Sequence, residues 1–294
     1  MKDYVLRAID KEKNIRIFIA STTNLVEDAR KIHNTTSTAT AALGRTLTAA
    51  AIMGLMLKGE KDKVSINIKG DGPAKSILAV ANSKGKVKGY IANPYVDLPL
   101  RKDGKLNVGM AVGKNGKISV IRDFGLKEPY IGQSNLVTGE IAEDLAQYFV
   151  YSEQQPSAVA LGVLIDKDLS VKAAGGFILQ VLPNIPEESL TKLEEKINNF
   201  KSISELINKG YKPEDILDDL LGDFDMEIKE KKEIKLECDC SRERLEEALI
   251  SVGEEELTKI LEEDGKAEVV CHFCNTKYQF DKQDLIKLIE SVKK

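Results

Sequence analysis

All four cysteines of this 294-residue chain lie in its last quarter, where they form two close pairs. Cys238 and Cys240 are one residue apart, and Cys271 and Cys274, two residues apart, follow after thirty intervening residues. Four thiolates can surround one Zn²⁺ tetrahedrally at about 2.3 Å each, and such a site stabilises a domain too small for a core of its own. The spacing therefore predicts one Zn²⁺ per chain, bound by these four cysteines.

The second pair has the sequence context of a zinc-knuckle hairpin. A strand over 268–270 leads into Cys271, and Tyr278 and Phe280 alternate on the way out. His272 could replace a cysteine as ligand, but with four thiolates available we expect it at an exposed turn position. Two plainer interpretations remain open, an inert zinc staple and four unrelated thiols.

Length and charge limit the remaining possibilities. The chain exceeds the roughly 100–150 residues of one domain, so we expect two or more folded units. A net charge of −4 gives no electrostatic reason to expect nucleic-acid binding. The first residues, Met1 to Val5, do not show the apolar run expected of a signal peptide. We find no apolar run long enough to span a membrane and no nucleotide-binding glycine motif. We expect a cytoplasmic protein, in which paired cysteines favour metal or redox chemistry over structural disulfides.

Residues 1–182 predict one α+β domain, with a mixed or antiparallel sheet packed against a central helix. Two strands are expected over 3–9 and 14–20, and a helix rich in small residues over 35–57. Alternating apolar residues predict mainly strands over 63–182, interrupted by a helix over 139–152. Asn115-Gly116 is typical of a two-residue hairpin turn.

Residues 183–237 have a different composition and predict a helical linker. They hold nine lysines against fifteen acidic residues, and apolar residues recur at helical spacing. Such short amphipathic helices are marginal in water unless they pack on a partner surface. The sequence leaves two interpretations about equally supported, a docked linker and a metastable segment that is released when its anchor is lost.

Residues 238–294 predict a small zinc-binding domain in which the cysteines could act as a redox sensor. Zinc requires thiolates, and thiolates are the form of cysteine that peroxide and hypochlorite oxidise. Loss of zinc would remove on the order of 10 kcal/mol of binding free energy. A domain of about sixty residues has only a few kcal/mol of its own stability, so oxidation would unfold it. The chemistry supports a redox-triggered order-to-disorder switch without saying what the switch controls.

Several motifs along the chain point to one known family. They are Cys238-x-Cys240-Ser241-Arg242-Glu243-Arg244, Glu268-Val269-Val270-Cys271-x-Phe273-Cys274, Ala42-Leu43-Gly44-Arg45, Gly70-Asp71-Gly72-Pro73, Ser152-Glu153-Gln154-x-Pro156-Ser157 and Ala174-Gly175-Gly176. In these motifs the sequence closely resembles the 33 kDa chaperonin family, the redox-regulated heat-shock chaperones of bacteria. The resemblance covers the whole chain and its domain order, and the cysteine pattern is the most specific part of it.

The resemblance implies an ATP-independent holdase with no enzymatic activity, inactive while reduced and zinc-bound. By analogy, oxidation forms the disulfides Cys238–Cys240 and Cys271–Cys274, ejects zinc and unfolds the linker. The activated protein is then expected to bind unfolding client proteins, to form homodimers, and to have no nucleic-acid or membrane partner. No motif identifies the client-binding residues.

Two alternatives belong to other functional classes. A zinc-ribbon module that binds RNA would need a basic face, whereas residues 246–264 are rich in carboxylates. A thiol–disulfide oxidoreductase using Cys271 and Cys274 would lack the expected βαβ context and would leave the first cysteine pair unexplained.

Overall fold

A helix of small residues lies between two β-sheets in the first part of the chain. This helix, Ser37–Leu55, is buried along nearly its whole length. Its alanines and glycines let both sheets approach closely. The buried Thr40, Thr46 and Thr48 donate to helix backbone carbonyls four residues earlier, as Thr46 does to Ala42 at 2.9 Å. The predicted α+β fold with a central helix is confirmed.

The computed structural model describes residues 2–292 and divides the chain into two units, one up to Glu237 and one from Cys238. The strands of the first unit are β1 (Tyr4–Asp10), β2 (Ile15–Ser21), β3 (Lys63–Lys69), β4 (Ser76–Asn82), β5 (Lys86–Ile91), β6 (Lys117–Asp123), β7 (Tyr130–Asn135), β8 (Ser157–Ile165), β9 (Val171–Val181), β10 (Met226–Glu233) and β11 (Lys235–Leu236). Its helices are α1 (Thr23–His33), α2 (Ser37–Leu55), α3 (Val108–Val112), α4 (Ile141–Tyr151), α5 (Glu187–Asn198), α6 (Ile203–Asn208) and α7 (Pro213–Leu221), with a 3₁₀ turn at Gly222–Phe224.

The first sheet has the strand order β10-β1-β2-β9-β8, and every pair in it is antiparallel. Apolar side chains of its strands point to both faces in alternation, so each face of the sheet borders its own apolar cluster. The inner face, with Val5, Phe18 and Ile178, packs into the core around α2. The outer face, with Leu6 and Phe177, packs against the helices that follow residue 182.

The second sheet has the order β11-β5-β4-β3-β6-β7 and is antiparallel except for the pair of β11 with β5. Its strands show the one-face burial that alternation predicts, as in β3, where Val64, Ile66 and Ile68 face the core. Both sheets therefore share one core through α2.

Helices α5, α6 and α7 cover the outer face of the first sheet. Their buried residues on this face are Leu193, Ile203, Leu206, Ile216, Leu217, Leu220 and Leu221. Paired Gly162 and Gly175 lie under α6. A Cβ added at Gly162 would lie 2.9 Å from Ser204 Oγ and 3.1 Å from Ile203 Cγ2, so the missing side chain is what lets α6 sit close to the sheet.

A buried carboxylate joins β1 to the start of α1. Asp3 accepts hydrogen bonds from the backbone N–H of Leu25 at 2.7 Å and from Asn24 Nδ2 at 3.1 Å, and so caps a helix whose own N-cap residue makes no side-chain cap bond. Burial raises the pKa of Asp3 to about 6, against the lowering effect of these hydrogen bonds.

The second unit has a small core of its own. It contains α8 (Arg242–Ile250), α9 (Glu254–Glu263), β12 (Ala267–Val270), β13 (Lys277–Phe280) and α10 (Lys282–Val292). Strands β12 and β13 form an antiparallel hairpin. Its buried apolar residues are Leu249, Leu257, Phe280, Leu285, Leu288 and Ile289.

Two local features differ from the sequence predictions. Asn115-Gly116 does not join two strands, because the short helix α3 precedes it and the side chain of Asn115 donates to Asp71 at 2.6 Å. The second difference is that β10 and β11 lie in the segment where only helices were expected. No helix within residues 2–292 has the length and apolarity needed to cross a membrane.

Candidate metal centre

The four cysteines meet in the second unit, and all four are free thiols. Their Sγ atoms all lie within 4.8 Å of one another; Cys238 and Cys271 are 3.7 Å apart, and Cys240 and Cys274 are 3.4 Å apart. Thiolates around one Zn²⁺ at about 2.3 Å would be separated by roughly 3.8 Å. The cluster therefore fits a tetrahedral four-thiolate metal site, and the four residues can hold a metal ion.

The hairpin of β12 and β13 positions the second pair. The backbone N–H of Cys271 donates to the carbonyl of Thr276 at 2.9 Å, and that of Asn275 donates to the carbonyl of Cys271 at 2.8 Å. Asn275 has a φ of 56°, a left-handed conformation that asparagine tolerates. This tight turn directs both sulfurs to the same side, with Cys271 buried and Cys274 partly exposed.

Two arginines position the first pair, which lies in the loop ahead of α8. Arg244 donates to the backbone carbonyl of Asp239 at 2.9 Å and to its carboxylate at 2.6 Å, and so holds the residue between the two cysteines. Arg242 stacks on the ring of Phe280 at 4.4 Å and donates to Asp284 at 2.6 Å. The loop is thereby tied to both β13 and α10.

Two hydroxyl groups on the hairpin lie beside the sulfurs. The Tyr278 hydroxyl is 3.3 Å from Cys240 Sγ, and Thr276 Oγ1 is 3.2 Å from Cys274 Sγ. Each pair of cysteines thus has one neighbouring hydroxyl, a typical outer-shell arrangement that orients metal ligands. The cysteine spacing did not predict these groups; the only sequence indication is the alternation of Thr276, Tyr278 and Phe280.

The ionisation of the thiols is uneven. Burial, with the neighbouring thiols, raises the pKa of Cys238, and burial raises that of Cys271. Burial also acts to raise the pKa of Cys274, but hydrogen bonds from Thr276 and from the adjacent thiols outweigh it and lower this pKa to about 7. The hydrogen bond to Cys240 raises the pKa of Tyr278 to about 12, so this hydroxyl stays protonated and able to donate. The centre thus has one readily ionised sulfur, Cys274, next to two whose pKa is raised, Cys238 and Cys271.

His272 does not belong to the cluster and lies exposed on the turn, as the sequence predicted. Among the described residues, the four thiols are the one group of histidine, cysteine and carboxylate side chains with metal-binding geometry.

Comparison with known proteins places these features in a family. The family model described as "Hsp33 protein" matches residues 3–281. A 33 kDa chaperonin of Alkaliphilus oremlandii is 55% identical over 98% of this chain and 96% of its own length. A 33 kDa chaperonin of a Thermoanaerobacter species is 53% identical over 98% of both chains. The crystal structure of the 33 kDa chaperonin (Hsp33 homologue) of Thermotoga maritima superposes with a TM-score of 0.90 at 40% identity, covering 99% of each chain.

Proposed function

Because the chain belongs to the Hsp33 protein family, we propose that it is a redox-regulated, ATP-independent holdase that prevents unfolding proteins from aggregating. The observation that carries this proposal is the four-thiol cluster, which follows directly after a segment that covers an apolar sheet face. In this proposal the protein has no catalytic activity, and the cluster acts as a sensor.

In the reduced, inactive form, Cys238, Cys240, Cys271 and Cys274 hold one Zn²⁺. Bound zinc supplies folding free energy to the second unit and keeps the sulfurs as thiolates. The chemistry of the donor set supports zinc, since four soft thiolates in a tetrahedral arrangement select it over hard cations.

Oxidation by a peroxide removes the metal ligands. Two thiolates lose two electrons and form one disulfide, while hydrogen peroxide takes up these electrons and two protons to give two water molecules. We propose the disulfides Cys238–Cys240 and Cys271–Cys274. In a metal-bound tetrahedron all sulfur separations are equal, so distance does not select the pairing. Pairing of Cys238 with Cys240 and of Cys271 with Cys274 is favoured because the two cysteines of each pair remain near neighbours in the chain once the metal has left.

Metal loss then destabilises the small unit and frees the linker. The core of the second unit consists of few buried residues, which cannot replace about 10 kcal/mol of metal-binding free energy. The linker ends at Glu237, directly before Cys238, and the backbone N–H of Glu237 donates to the carbonyl of Val87 at 2.8 Å. Helix α6 has only six residues, and such a helix does not persist without its packing surface.

Release of α5, α6 and α7 would uncover the outer face of the first sheet. That face presents a continuous apolar surface for binding unfolded chains, formed by Leu6, Ala8, Ile15, Ile17, Ile19, Phe177 and Leu179. A large exposed apolar patch is typical of a protein-binding surface. We further propose that clients bind this face, that the activated protein forms homodimers, and that it acts in the cytoplasm without nucleic-acid or membrane partners.

Light scattering of a heat-denatured client enzyme tests the proposal, with zinc-loaded reduced protein compared with peroxide-treated protein and no ATP present. We expect only the oxidised form to suppress aggregation. Equal suppression by both forms would leave a chaperone with a merely structural metal site. Suppression by neither form would refute the holdase, and RNA filter binding and insulin reduction would then test the two alternative functions.

A further inference from the structure

Strand β10 forms one edge of the first sheet and contributes only its first residue, the partly buried Met226, to the apolar cluster on the outer face. It pairs antiparallel with β1, with Tyr4 opposite Glu233 and Asp10 opposite Met226, and the register shifts between Arg7 and Ala8. Six of its eight residues, MEIKEKKE, are charged, and none is fully buried. Its central apolar residue, Ile228, is 43% exposed.

Apart from Met226, and from the buried Ile234 that directly follows the strand, β10 is held by main-chain hydrogen bonds and surface ion pairs. Lys2 lies 2.8 Å from Glu233, and Lys231 pairs with Glu214 of α7, which also accepts from the hydroxyl of Tyr4. Exposed ion pairs contribute little to stability. Because Glu214 connects α7 to β10, loss of the helices also removes a contact of the strand.

Strand β1, in contrast, is anchored on both faces. Val5 is buried in the core around α2, and Leu6 and Ala8 are buried on the outer face. β1 therefore remains in the sheet when β10 leaves it. Its backbone N–H and C=O groups would then form an open edge beside an uncovered apolar face, and such an edge is a ready template for strand pairing.

We propose that, in the activated protein, the β1 edge vacated by β10 binds an extended apolar segment of an unfolding protein as an added antiparallel strand. This inference rests on the proposed function, because it requires release of the linker. Strand addition uses main-chain hydrogen bonds that any sequence can form, which suits a protein that binds many different clients. In the inactive form β10 occupies the edge in place of a client.

The register indicates which residues of the occupant matter. Residues directly opposite each other in an antiparallel pair point to the same face. Lys231 is opposite Leu6, and Ile228 is opposite Ala8, so these positions face the outer side, in agreement with the contact of Lys231 with α7. A bound segment with apolar residues at such alternate positions would extend the apolar surface of the sheet, which the charged β10 does not.

Hydrogen exchange of the oxidised full-length protein tests the proposal, with a defined peptide as the probe. The peptide has valine at alternate positions and threonine and lysine between them, and its matched control carries the same side chains with every internal amide N-methylated. We expect the first peptide to slow exchange of the β1 amides at least tenfold. The N-methylated peptide should bind at least tenfold more weakly than the first peptide. Equal binding of the two peptides, or binding without protection of β1, would overturn strand addition.

Two variants test which sheet face the side chains of the strand beside β1 must point to. Lys231→Ile places an apolar side chain on the outer face, so β10 should stay paired with β1 more strongly. Glu230→Ile gives β10 the same strand propensity, but its side chain points to the other face, opposite Arg7. We expect peptide capture by the oxidised protein to fall about tenfold more in Lys231→Ile, with peroxide-induced metal release unchanged in both. Equal effects would contradict the assignment. If the wild-type oxidised protein failed to suppress client aggregation, the proposed function itself would fail; suppression without β1 protection would refute only strand addition.

Discussion

Replacing Gly162 by alanine should activate the protein without oxidation. The added methyl group would lie 2.9 Å from Ser204 Oγ, 3.0 Å from Ser204 Cβ and 3.1 Å from Ile203 Cγ2. All three atoms belong to α6, so the clash acts on the docking of this helix and not on the sheet. In the variant, the state with α6 docked on the sheet is strained, whereas the state with α6 released is not.

The magnitude follows from the cost of overpacking. Inserting a methyl group into a well-packed interface costs about 1–3 kcal/mol. Since about 1.4 kcal/mol corresponds to a factor of ten, the equilibrium constant for release of α6 should rise by roughly 5- to 150-fold. A rise of this size should produce measurable holdase activity in the reduced, zinc-loaded protein.

The assay is client light scattering together with hydrogen exchange of α5, α6 and α7 and a determination of zinc content. Gly222→Ala is the matched control, because Gly222 lies in the same segment and an added Cβ there meets no atom within 4 Å. We expect Gly162→Ala to exchange α6 amides faster and to suppress aggregation with one zinc still bound. If its α6 protection and its inactivity match those of the control, the view of α6 as a weakly docked cover is refuted.

Three further outcomes are expected. Asp3→Asn should remove a pH dependence of the free energy of unfolding. The pKa of Asp3 is about 6 in the folded protein and ordinarily 3.8, so the folded state holds its proton more tightly than the unfolded state. The free energy of unfolding of the wild type should therefore fall by up to about 3 kcal/mol as pH rises from about 4 to above 6. Chemical denaturation across this range should give a flatter profile for the variant, and parallel profiles would contradict it. Tyr278→Phe should speed peroxide-driven metal release, measured with a colorimetric zinc indicator, because the hydroxyl beside Cys240 Sγ no longer withdraws electron density; an unchanged or slower rate would argue against this role. Cys271→Ser should lose zinc and, with about 10 kcal/mol of binding free energy gone, the helical signal of the second unit, while amides of α2 stay protected; retained zinc would refute the four-thiolate site.

The clustering of the four thiols was predictable because the two cysteines of each pair are close together in sequence. Each cysteine pair spans three or four residues, and one hairpin and one loop suffice to bring both pairs together. The supporting groups were harder to predict. Arg242, Tyr278 and Thr276 act through contacts whose partners no spacing rule identifies, since a hydroxyl or guanidinium has many possible neighbours.

The main elements of the first unit were equally predictable, since alternation and small-residue helices reflect burial directly. The helix predicted over 35–57 is Ser37–Leu55, and the strands predicted over 3–9 and 14–20 are Tyr4–Asp10 and Ile15–Ser21. The failure at Asn115 has a physical reason: its side chain is held by Asp71, forty-four residues away, and not by a partner strand.

By itself, the sequence determined the four cysteines that can hold a metal ion, the α+β class and the amphipathic character of the linker, because each depends on residues close together in the chain. Only the tertiary structure decided what the linker covers and how it is held. The charged sequence of β10 has little strand propensity of its own and forms a strand because β1, more than two hundred residues earlier, offers unpaired backbone groups. The close fit of α6 likewise depends on Gly162 and Gly175, two glycines that become a flat surface only when β8 and β9 pair.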